Sequence, residues 1–439
     1  MKKSMYNFQV ADPKSGDLVL FNTKTGALVA FDREEGPRLE KVLEKPWLFA
    51  GQEVYNELAS FGFIVEESLD EFGEVLERNK LASADQNRLD LFVMPNMNCN
   101  FSCSYCYEDH AKSEMTDVTA NAILNWLDKE LPKTKVLLVS WFGGEPLLST
   151  DRVLALHSSI KEVCSFHGVE LVSHITTNGY LLSKSVATSL VELGILSFQI
   201  TIDGKREDHD KLRPLRGGQG TYDRIKRNIV DLVECHRDVN LKLRINYHSG
   251  NLGSVLEMLD DFPLNVRSHI DIVFEQIFGQ TYGKYGDLDG AQQAKTKVEE
   301  LYQKARSIGY LTTKDTPLMQ KGTYCYADRS RQYTINFNGD VFKCTVSKFD
   351  SKYRFGYLTD NGSLALEGHR WDDWMNIDGL EEKCVSCVYM PMCMGGCRKV
   401  RGMWGTVGAD CTLPFLGLSE RVMKAYIGHA HEEDSYADK

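Results

Sequence analysis

The chain has 439 residues, of which 42% are hydrophobic and 26% are charged, and its formal net charge is -11. This composition is typical of a soluble globular protein and excludes collagen-like and wholly disordered chains. The acidic net charge argues against a broad nucleic-acid-binding surface, which would need clustered Lys and Arg side chains.

The N-terminus contains two lysines but lacks the apolar run that a secretory signal requires. No stretch reaches the roughly 18 apolar residues of a membrane span. We therefore expect a cytoplasmic protein with no membrane partner. Because disulfides are rare in a reducing compartment, the 12 cysteines are first interpreted as metal ligands or as buried thiols.

Residues 1–85 form a first segment that combines a hairpin pattern with short helices. Apolar residues alternate in 17–22 and in 27–31, and the polar residues between them are typical of a turn. Helical spacing and one short strand follow, at 38–43, 54–61, 62–65 and 68–81. This mixture predicts a small winged-helix-like module.

Residues 89–315 alternate six times between strand and helix patterns. The predicted strands are 89–94, 136–142, 170–176, 196–202, 241–246 and 270–277. The predicted helices are 118–130, 151–164, 183–193, 221–236, 254–262 and 292–308. Largely apolar strands in this order predict an α/β fold with a parallel sheet, either a full or partial barrel or a doubly wound sheet. Residues 316–439 break into short segments that are rich in cysteine.

Three cysteines follow the first strand of this alternating region. Cys99, Cys103 and Cys106 have the spacing C-x3-C-x2-C. Three thiolates on one loop can bind three irons of a 4Fe–4S cluster and leave the fourth iron open to a small molecule. The alternative is a zinc site, which would need a fourth ligand such as His110.

The cysteine spacing resembles the signature of the radical S-adenosylmethionine (SAM) superfamily. The resemblance implies that the open iron binds the amino and carboxylate groups of SAM and that Tyr105 lies against its adenine. The second strand ends in Gly143, Gly144, Glu145 and Pro146, which resemble the family's GGEP motif, whose carboxylate receives the SAM ammonium group. Alone, this tetrapeptide is more typical of a turn, but its place one unit after the cysteine loop favours the motif.

Other strand ends provide further candidates for SAM contacts. Thr177 and Asn178 end the third strand, Asp203 ends the fourth and Asn246 ends the fifth, while Arg213 follows in the loop region after Asp203. The resemblance favours Thr177 and Asn178 near the ribose or carboxylate of SAM. Ordinary turn residues and a surface salt bridge are the alternatives.

The last part of the chain contains seven cysteines whose spacing resembles the SPASM extension of the same superfamily. They read C-x13-G-x4-C, a gap, C-x2-C-x5-C-x3-C, a second gap and a final C. The residues are Cys325, Cys344, Cys384, Cys387, Cys393, Cys397 and Cys411. Zinc-ribbon pairing of the same cysteines is the alternative.

In the family, this extension holds two auxiliary 4Fe–4S clusters. The resemblance assigns one cluster to Cys384, Cys387, Cys393 and Cys411. It assigns three ligands of the other to Cys325, Cys344 and Cys397. That second cluster has an open iron unless a non-cysteine ligand or Cys235 completes it, because 314–324 contain no cysteine. Cys164, like Cys235, otherwise has no assigned role.

The resemblance implies three 4Fe–4S clusters and SAM as cofactors, and an electron donor such as flavodoxin or ferredoxin. It divides the chain into a leader-recognition module (1–85), a partial (β/α)6 radical SAM barrel (89–315) and a SPASM domain (316–439). We expect a peptide maturase that uses a 5'-deoxyadenosyl radical to form a thioether or carbon–carbon cross-link in a ribosomally made precursor peptide. Its leader would add to the N-terminal module as a strand.

Two alternative functions were weighed. Sulfatase maturases of the same family oxidise Cys or Ser to formylglycine and use an Asp directly after the second auxiliary cysteine, where this chain has Thr345. They also generally lack an N-terminal module of this size. A non-catalytic iron–sulfur electron carrier is disfavoured by the complete set of SAM motifs.

Overall fold

The computed structural model describes residues 1–13, 15–277, 288–312, 322–323, 325–376, 380, 382–399, 418–419, 422–423 and 425–426. The chain divides into two compact units. The first contains Met1–Asp85, Asp315–Ser330 and Asp372–Lys439. The second contains Gln86–Lys314 and Arg331–Trp371. The three predicted segments are therefore distributed over two units, and the predicted segment 316–439 is divided between them.

Among its described residues, the first unit contains five strands and three longer helices. The strands are β1 (Lys2–Lys3), β2 (Asn7–Ala11), β3 (Leu18–Asn22), β4 (Leu28–Phe31) and β5 (Ile64–Val65). The helices are Gly36–Glu44, Glu53–Ser60 and Glu71–Ser83, and Pro46–Leu48 is a 3-10 turn. β1 pairs with β5, and β2, β3 and β4 form an antiparallel sheet with β3 at its centre. The predicted hairpin is confirmed, whereas sequence reasoning missed β2, which lacks a clean apolar alternation.

The central strand β3 is buried on both of its faces. Leu20 belongs to a core with Leu39 and Leu58, which lie on helices of this unit. Val19 and Phe21, whose side chains point to the opposite face, pack with Leu418, Val422 and Met423. The sheet therefore joins the N-terminal residues to the end of the chain. The winged-helix assignment stays a prediction.

The second unit is built on six parallel strands in consecutive order. They are β6 (Arg88–Val93), β7 (Val136–Trp141), β8 (Glu170–Thr177), β9 (Ser197–Thr201), β10 (Asn240–Tyr247) and β11 (Ile270–Gln276). The helices are Asp117–Glu130, Thr150–His167, Lys184–Glu192, Arg206–Leu212, Tyr222–Cys235, Leu252–Met258, Leu264–Arg267 and Leu288–Ser307. The predicted alternation of strands and helices is confirmed.

Four more strands extend this sheet beyond β6. They are β12 (Gln332–Ile335), β13 (Asp340–Phe342), β14 (Gly356–Leu358) and β15 (Leu364–Leu366). β12 runs parallel to β6, and β13, β14 and β15 follow as antiparallel neighbours. Because β12 occupies the free edge of β6, the sheet is open and mixed, with β11 at its other edge. Through this pairing, 331–371 belong to the same unit as the six parallel strands instead of forming a separate C-terminal domain.

Register brings the carboxyl ends of the parallel strands to one edge. Val93, Trp141 and Ile175 are neighbours across β6, β7 and β8, and Asn246 pairs with Glu275 across β10 and β11. In a parallel sheet, the loops that follow these ends meet at the same side. The cysteine loop and the Gly-Gly-Glu-Pro turn are two of these loops.

Three further short α-helices lie at Arg370–Met375, Glu382–Val385 and Met390–Cys393. Among the described residues, none of the helices combines the length and the apolar character that crossing a bilayer requires.

A neutral histidine lies in the core beside β7 and β8. His157 is fully buried, its Nδ1 accepts a hydrogen bond from Trp141 Nε1 at 3.3 Å, and its Nε2 lies 3.3 Å from Ser173 Oγ. Because the indole N–H only donates, Nδ1 must be unprotonated and Nε2 carries the hydrogen. Burial, with a smaller contribution from Lys161, lowers the pKa of His157 to about 4.

We predict that His157 makes the fold sensitive to mild acid. Below the ordinary histidine pKa, the unfolded chain binds a proton that the folded chain excludes, so stability falls as the pH drops from about 6.5 towards 4. Between about pH 7.5 and 5.5, wild type should lose about 1 kcal/mol more than His157→Gln. Thermal unfolding at both pH values measures this, and an equal acid sensitivity of the two proteins would contradict it.

Candidate functional site

The cysteine loop between β6 and the helix Asp117–Glu130 is held along its length by a second loop. Ser102 N donates to Pro214 O at 2.9 Å, and Ser104 N donates to Leu212 O at 3.0 Å. In return, Arg216 N donates to Asn100 O at 2.9 Å. The backbone that carries the three thiols is therefore fixed by the segment that follows the helix Arg206–Leu212.

The three cysteines of this loop have free thiols and differ in exposure. Cys99 is buried, Cys103 is half-buried and Cys106 is exposed. Burial raises the pKa of Cys99 to about 12, and it also raises the pKa of Cys103. The metal-free thiols are thus protonated at neutral pH, and coordination to a metal must release their protons.

The three thiols of the cysteine loop are donors of the kind that an iron–sulfur cluster uses. Within the described ranges, no three His, Cys, Asp or Glu side chains converge as ligands of one metal ion. A cubane cluster does not require this, because each thiolate binds a different iron. His110, an example of the fourth ligand that the zinc alternative would need, has its Nδ1 3.3 Å from Met97 O.

The Gly-Gly-Glu-Pro turn after β7 packs directly against the cysteine loop. Glu145 N donates to Asn98 O at 2.7 Å. A Cβ atom on Gly144 would lie 2.2 Å from Asn98 O, and one on Gly143, whose φ is +119°, would lie 2.4 Å from Asn96 O. Both glycines are therefore required by contact between two backbones. Pro146 opens a 3-10 turn, Pro146–Ser149.

Glu145 links this turn to the end of β8. Its fully buried carboxylate accepts hydrogen bonds from Thr177 Oγ1 at 2.7 Å, from Asn178 N at 2.7 Å and from Leu147 N at 2.9 Å. Burial raises the pKa of Glu145, and the three hydrogen bonds oppose that rise. A carboxylate has about four acceptor positions, so about one remains for another donor.

Asn178 extends the contacts of β8 to the cysteine loop itself. Its Oδ1 accepts from Tyr180 N at 3.0 Å, which identifies Nδ2 as the donor. Nδ2 lies 2.8 Å from Asn100 Oδ1 and 3.9 Å from Cys99 Sγ. Asn100, which sequence reasoning did not select, has a buried Nδ2 without a partner among the described residues.

Four of the predicted site residues meet at the hydroxyl of Tyr105. This hydroxyl bonds to the carboxylate of Asp203 and accepts from Arg213 Nη1 at 2.6 Å and from Asn246 Nδ2 at 3.0 Å. Asp203 is fully buried and also accepts from Asn246 N at 2.8 Å. Burial raises the pKa of Asp203, and the Arg213 guanidinium 3.7 Å away opposes this. The predicted contact of Tyr105 with adenine stays a prediction.

Further residues that sequence reasoning missed support this network. His209 Nδ1 accepts from Asp203 N at 3.1 Å, so its Nε2 donates to Thr221 Oγ1, which donates to Arg213 O at 2.8 Å. Burial keeps His209 neutral by lowering its pKa. Asn251 Nδ2 donates to Asp203 O at 3.1 Å. The sequence signal that could have identified His209 is its spacing of four residues from Arg213, which caps the helix Arg206–Leu212.

An unused donor of Arg213 suggests where a ligand would bind. Arg213 is 7% exposed, and its buried Nε has no hydrogen-bond partner in the described part of the chain. With Asn100 Nδ2, this gives two unsatisfied donors in the residues that surround the cysteine loop. Unsatisfied buried donors are rare in proteins and point to a missing acceptor. An anionic or hydroxyl-rich small molecule fits that requirement.

In the first unit, Asp328 accepts hydrogen bonds from two segments that contain predicted auxiliary ligands. Cys325 N donates to Asp328 Oδ2 at 3.0 Å, and Arg398 Nε, next to Cys397, donates to Asp328 Oδ1 at 2.8 Å. Cys344 belongs to the second unit, where the carbonyl of the adjacent Thr345 accepts from Tyr107 OH at 3.2 Å, just after the cysteine loop.

The other predicted auxiliary ligands lie on a compact turn of the first unit. Cys384 is in the helix Glu382–Val385, Cys387 follows it, and Cys393 ends the helix Met390–Cys393. Cys387 N donates to Cys384 O at 3.3 Å. Cys411, the fourth predicted ligand, lies outside the described residues. The ligand sets of both auxiliary clusters stay predictions.

Comparison with known proteins identifies the domain that carries the cysteine loop. Residues 93–262 match the family model described as the radical SAM superfamily. A cysteine-type anaerobic sulfatase-maturating enzyme of Clostridium perfringens is 22% identical over 339 residues, which cover 71% of this chain and 90% of that protein. PqqA peptide cyclase of Bradyrhizobium diazoefficiens is 24% identical over 326 residues, which cover 68% of this chain and 78% of that protein.

Solved structures share the fold. anSMEcpe with bound AdoMet and a peptide superposes with a TM-score of 0.60 at 18% identity, covering 79% of this chain and 99% of that one. SuiB of Streptococcus suis bound to precursor peptide SuiA superposes with a TM-score of 0.50 at 16% identity, covering 90% of this chain and 95% of that one.

We predict that Gly144→Ala disrupts the contact between the two loops. The new Cβ would lie 2.2 Å from a backbone oxygen, so the turn must move, at a cost of about 1–3 kcal/mol. Iron content after anaerobic reconstitution should fall, together with the thermal midpoint. The matched control is Gly253→Ala, whose Cβ meets nothing within 4 Å. Equal iron content and midpoints in both variants would contradict the prediction.

Proposed function

We propose that this chain, whose residues 93–262 form a radical SAM domain, holds a 4Fe–4S cluster on Cys99, Cys103 and Cys106 and modifies a peptide. The observation that carries the proposal is the direct packing of the three-cysteine loop on the Gly143–Gly144 turn, with Glu145 joined to the end of β8. When bound, the cluster and SAM supply a 5'-deoxyadenosyl radical, which takes hydrogen from an unactivated C–H bond.

In this proposal, residues of the second unit bind and orient SAM. The remaining acceptor position of the Glu145 carboxylate suits the SAM ammonium group. The unsatisfied donors Arg213 Nε and Asn100 Nδ2 suit its carboxylate or ribose oxygens. Asn178 lies between Asn100 and Cys99, and Thr177 bonds to Glu145. These contacts hold Glu145 and Asn100 in fixed positions relative to the cysteine loop.

The Tyr105 network supplies a rigid polar wall. The opposite charges of Asp203 and Arg213 compensate each other. Arg244 Nε donates to Asn246 Oδ1 at 2.9 Å, which orients the amide of Asn246 so that its Nδ2 faces Tyr105. Such a preformed network needs little reorganisation when a ligand binds. We infer that it holds the ring of Tyr105 in place against adenine.

The names of similar proteins support a peptide substrate. One relative is named a peptide cyclase and another a sulfatase-maturating enzyme, and one structure with the same fold contains a precursor peptide. In this chain, β2 and β4 each have one side without a strand neighbour among the described residues. An extended peptide can add to such an edge through backbone hydrogen bonds. We therefore assign leader binding to residues 1–85.

We favour a cross-link, either a thioether or a carbon–carbon bond, as the product. The seven-cysteine spacing supports two auxiliary clusters, one of which could receive the electron released when the new bond closes. A flavodoxin or ferredoxin would reduce the enzyme. Formylglycine formation is the second candidate, favoured by similarity to a sulfatase-maturating enzyme over 71% of the chain. The presence of Thr345 after Cys344 counts against it.

SAM cleavage tests the proposed catalytic cluster. We expect reduced wild type to release 5'-deoxyadenosine and to contain about twelve irons per chain, and Cys103→Ala to release none and to retain about eight. Cys235→Ala is the matched control, because this exposed cysteine ends a surface helix of the same unit. Unimpaired cleavage by Cys103→Ala would overturn the assignment, and iron loss in Cys235→Ala would make Cys235 a ligand.

The product of a co-expressed precursor peptide tests the reaction type. A short cysteine-containing peptide encoded beside this chain should lose two hydrogen atoms, because one new bond replaces two bonds to hydrogen. Tandem mass spectrometry locates the linked residues. Replacement of a cysteine sulfur by a carbonyl oxygen would instead identify a formylglycine-forming enzyme. An unmodified peptide, produced while SAM is cleaved, would argue against that peptide as the substrate.

A further inference from the structure

An open cavity of about 440 Å³ lies on the surface of the second unit. Its lining includes Tyr180, which follows β8, and Arg224 and Arg227, which lie on the helix Tyr222–Cys235. Both arginines are exposed. None of the residues proposed above to contact SAM lines this cavity.

The cavity has an excess of positive charge. Two carboxylates also line it, but each has partners of its own. Asp210 Oδ1 accepts from Thr221 N at 2.7 Å and from Tyr222 N at 2.9 Å, and Asp223 forms an ion pair with Arg206 at 2.7 Å. Within the part of the chain that the structure describes, neither of the two arginines of the cavity forms an ion pair.

This local charge is opposite to the charge of the whole chain. The formal net charge is -11, so an acidic partner is repelled by the protein as a whole and attracted at the cavity. Such a charge distribution favours one docking position over the others, and it acts mainly on the rate of association.

Three successive contacts connect the cavity to a sulfur of the cysteine loop. The Arg224 guanidinium lies over the Tyr180 ring, 4.4 Å from its centroid. The Tyr180 ring meets the Phe101 ring edge-on, with the two centroids 5.9 Å apart. Phe101 is 1% exposed, and its backbone N donates to Cys99 Sγ at 3.4 Å. The aromatic pair therefore fills the space between the cavity and the cysteine loop.

Hydrogen bonds fix this arrangement from both sides. Asn228, on the same helix as the two arginines, donates through Nδ2 to Gly179 O at 2.7 Å and to Tyr180 O at 3.1 Å. Tyr180 N donates to Asn178 Oδ1 at 3.0 Å, and Asn178 Nδ2 lies 3.9 Å from Cys99 Sγ. The helix that carries the arginines thus has a fixed position relative to the cysteine loop.

We infer that this cavity is the docking site for an acidic electron-transfer protein that reduces the cluster on Cys99, Cys103 and Cys106. The inference rests on the proposed function, which places that cluster on the cysteine loop. After docking, the reduced partner loses one electron and the cluster gains it, and no bond forms or breaks. Electron transfer slows steeply as the distance between two redox centres grows, so a docking position beside the cysteine loop favours it.

The openness and polarity of the cavity favour a protein over a small ligand. Sites for small molecules enclose most of the ligand and are lined mainly by apolar side chains. Transient electron-transfer complexes instead use small interfaces, of less than about 1,200 Å². A shallow, charged cavity above a buried aromatic pair fits the second type of site.

SAM cleavage with two different reductants tests the inference. Full-length reconstituted enzyme is reduced either by subsaturating flavodoxin hydroquinone or by dithionite, and 5'-deoxyadenosine is quantified. We expect Arg227→Glu to lower the flavodoxin-driven rate by about three- to tenfold and to weaken its dependence on ionic strength. The dithionite-driven rate should stay unchanged, because a small reductant does not need the docking site.

Arg237→Glu is the matched control. Arg237 is exposed and lies two residues beyond the other end of the same helix, so the substitution makes the same change in net charge away from the cavity. Both rates should equal those of wild type. A flavodoxin-driven rate that falls equally in the two variants would show an effect of net charge alone and would overturn the docking site.

The outcomes separate this inference from the proposed function. Equal flavodoxin-driven rates in wild type and Arg227→Glu would overturn the docking site alone. Loss of both rates in Arg227→Glu would also overturn it, because Arg227 would then affect the cluster itself. Weaker peptide modification by Arg227→Glu under dithionite, with normal SAM cleavage, would assign the cavity to the peptide instead. No dithionite-driven cleavage by wild type would overturn the proposed function and the inference together.

Discussion

The close approach of two backbone turns is the constraint on which the candidate site depends. The carbonyl oxygens of Asn96 and Asn98 occupy the space where side chains at Gly143 and Gly144 would begin. Only glycine allows this distance, and it places Glu145 where its carboxylate reaches the end of β8. One contact between two backbones therefore positions the cysteine loop, the Glu145 carboxylate and the end of β8 relative to each other.

The candidate site also contains two buried, opposite charges that stabilise each other. Asp203 and Arg213 would each be costly to bury alone, and they are stabilised by each other and by the Tyr105 hydroxyl and Asn246. A neutral His209 supports the Asp203 backbone from the other side. A network of this kind specifies one arrangement, because loss of any member leaves a buried polar group without a partner. Among the described residues, Arg213 Nε is the donor of this network that has no partner, and we propose that a ligand binds there.

The first unit combines parts of the sequence that a linear reading separates. Residues near the N-terminus pack on the cysteine turn through Tyr6, Thr23 and Arg78, and Val19 and Phe21 pack on residues 418–423. A module proposed to bind a peptide is thus also part of the structure around a proposed auxiliary cluster.

The sequence by itself determined most elements of the fold and the cysteine spacings. Strands β6 to β11 and the β3–β4 hairpin follow from short-range periodicity, which neighbouring residues encode. The cysteine spacings are visible in the sequence itself. Tertiary structure alone decided which distant groups meet. Arg213 and Asn246 reach Tyr105 across 108 and 141 residues, β12 pairs with β6, and Tyr6 packs beside Cys387. Those contacts depend on how packed elements satisfy buried polar groups and free strand edges, and no local pattern contains that information.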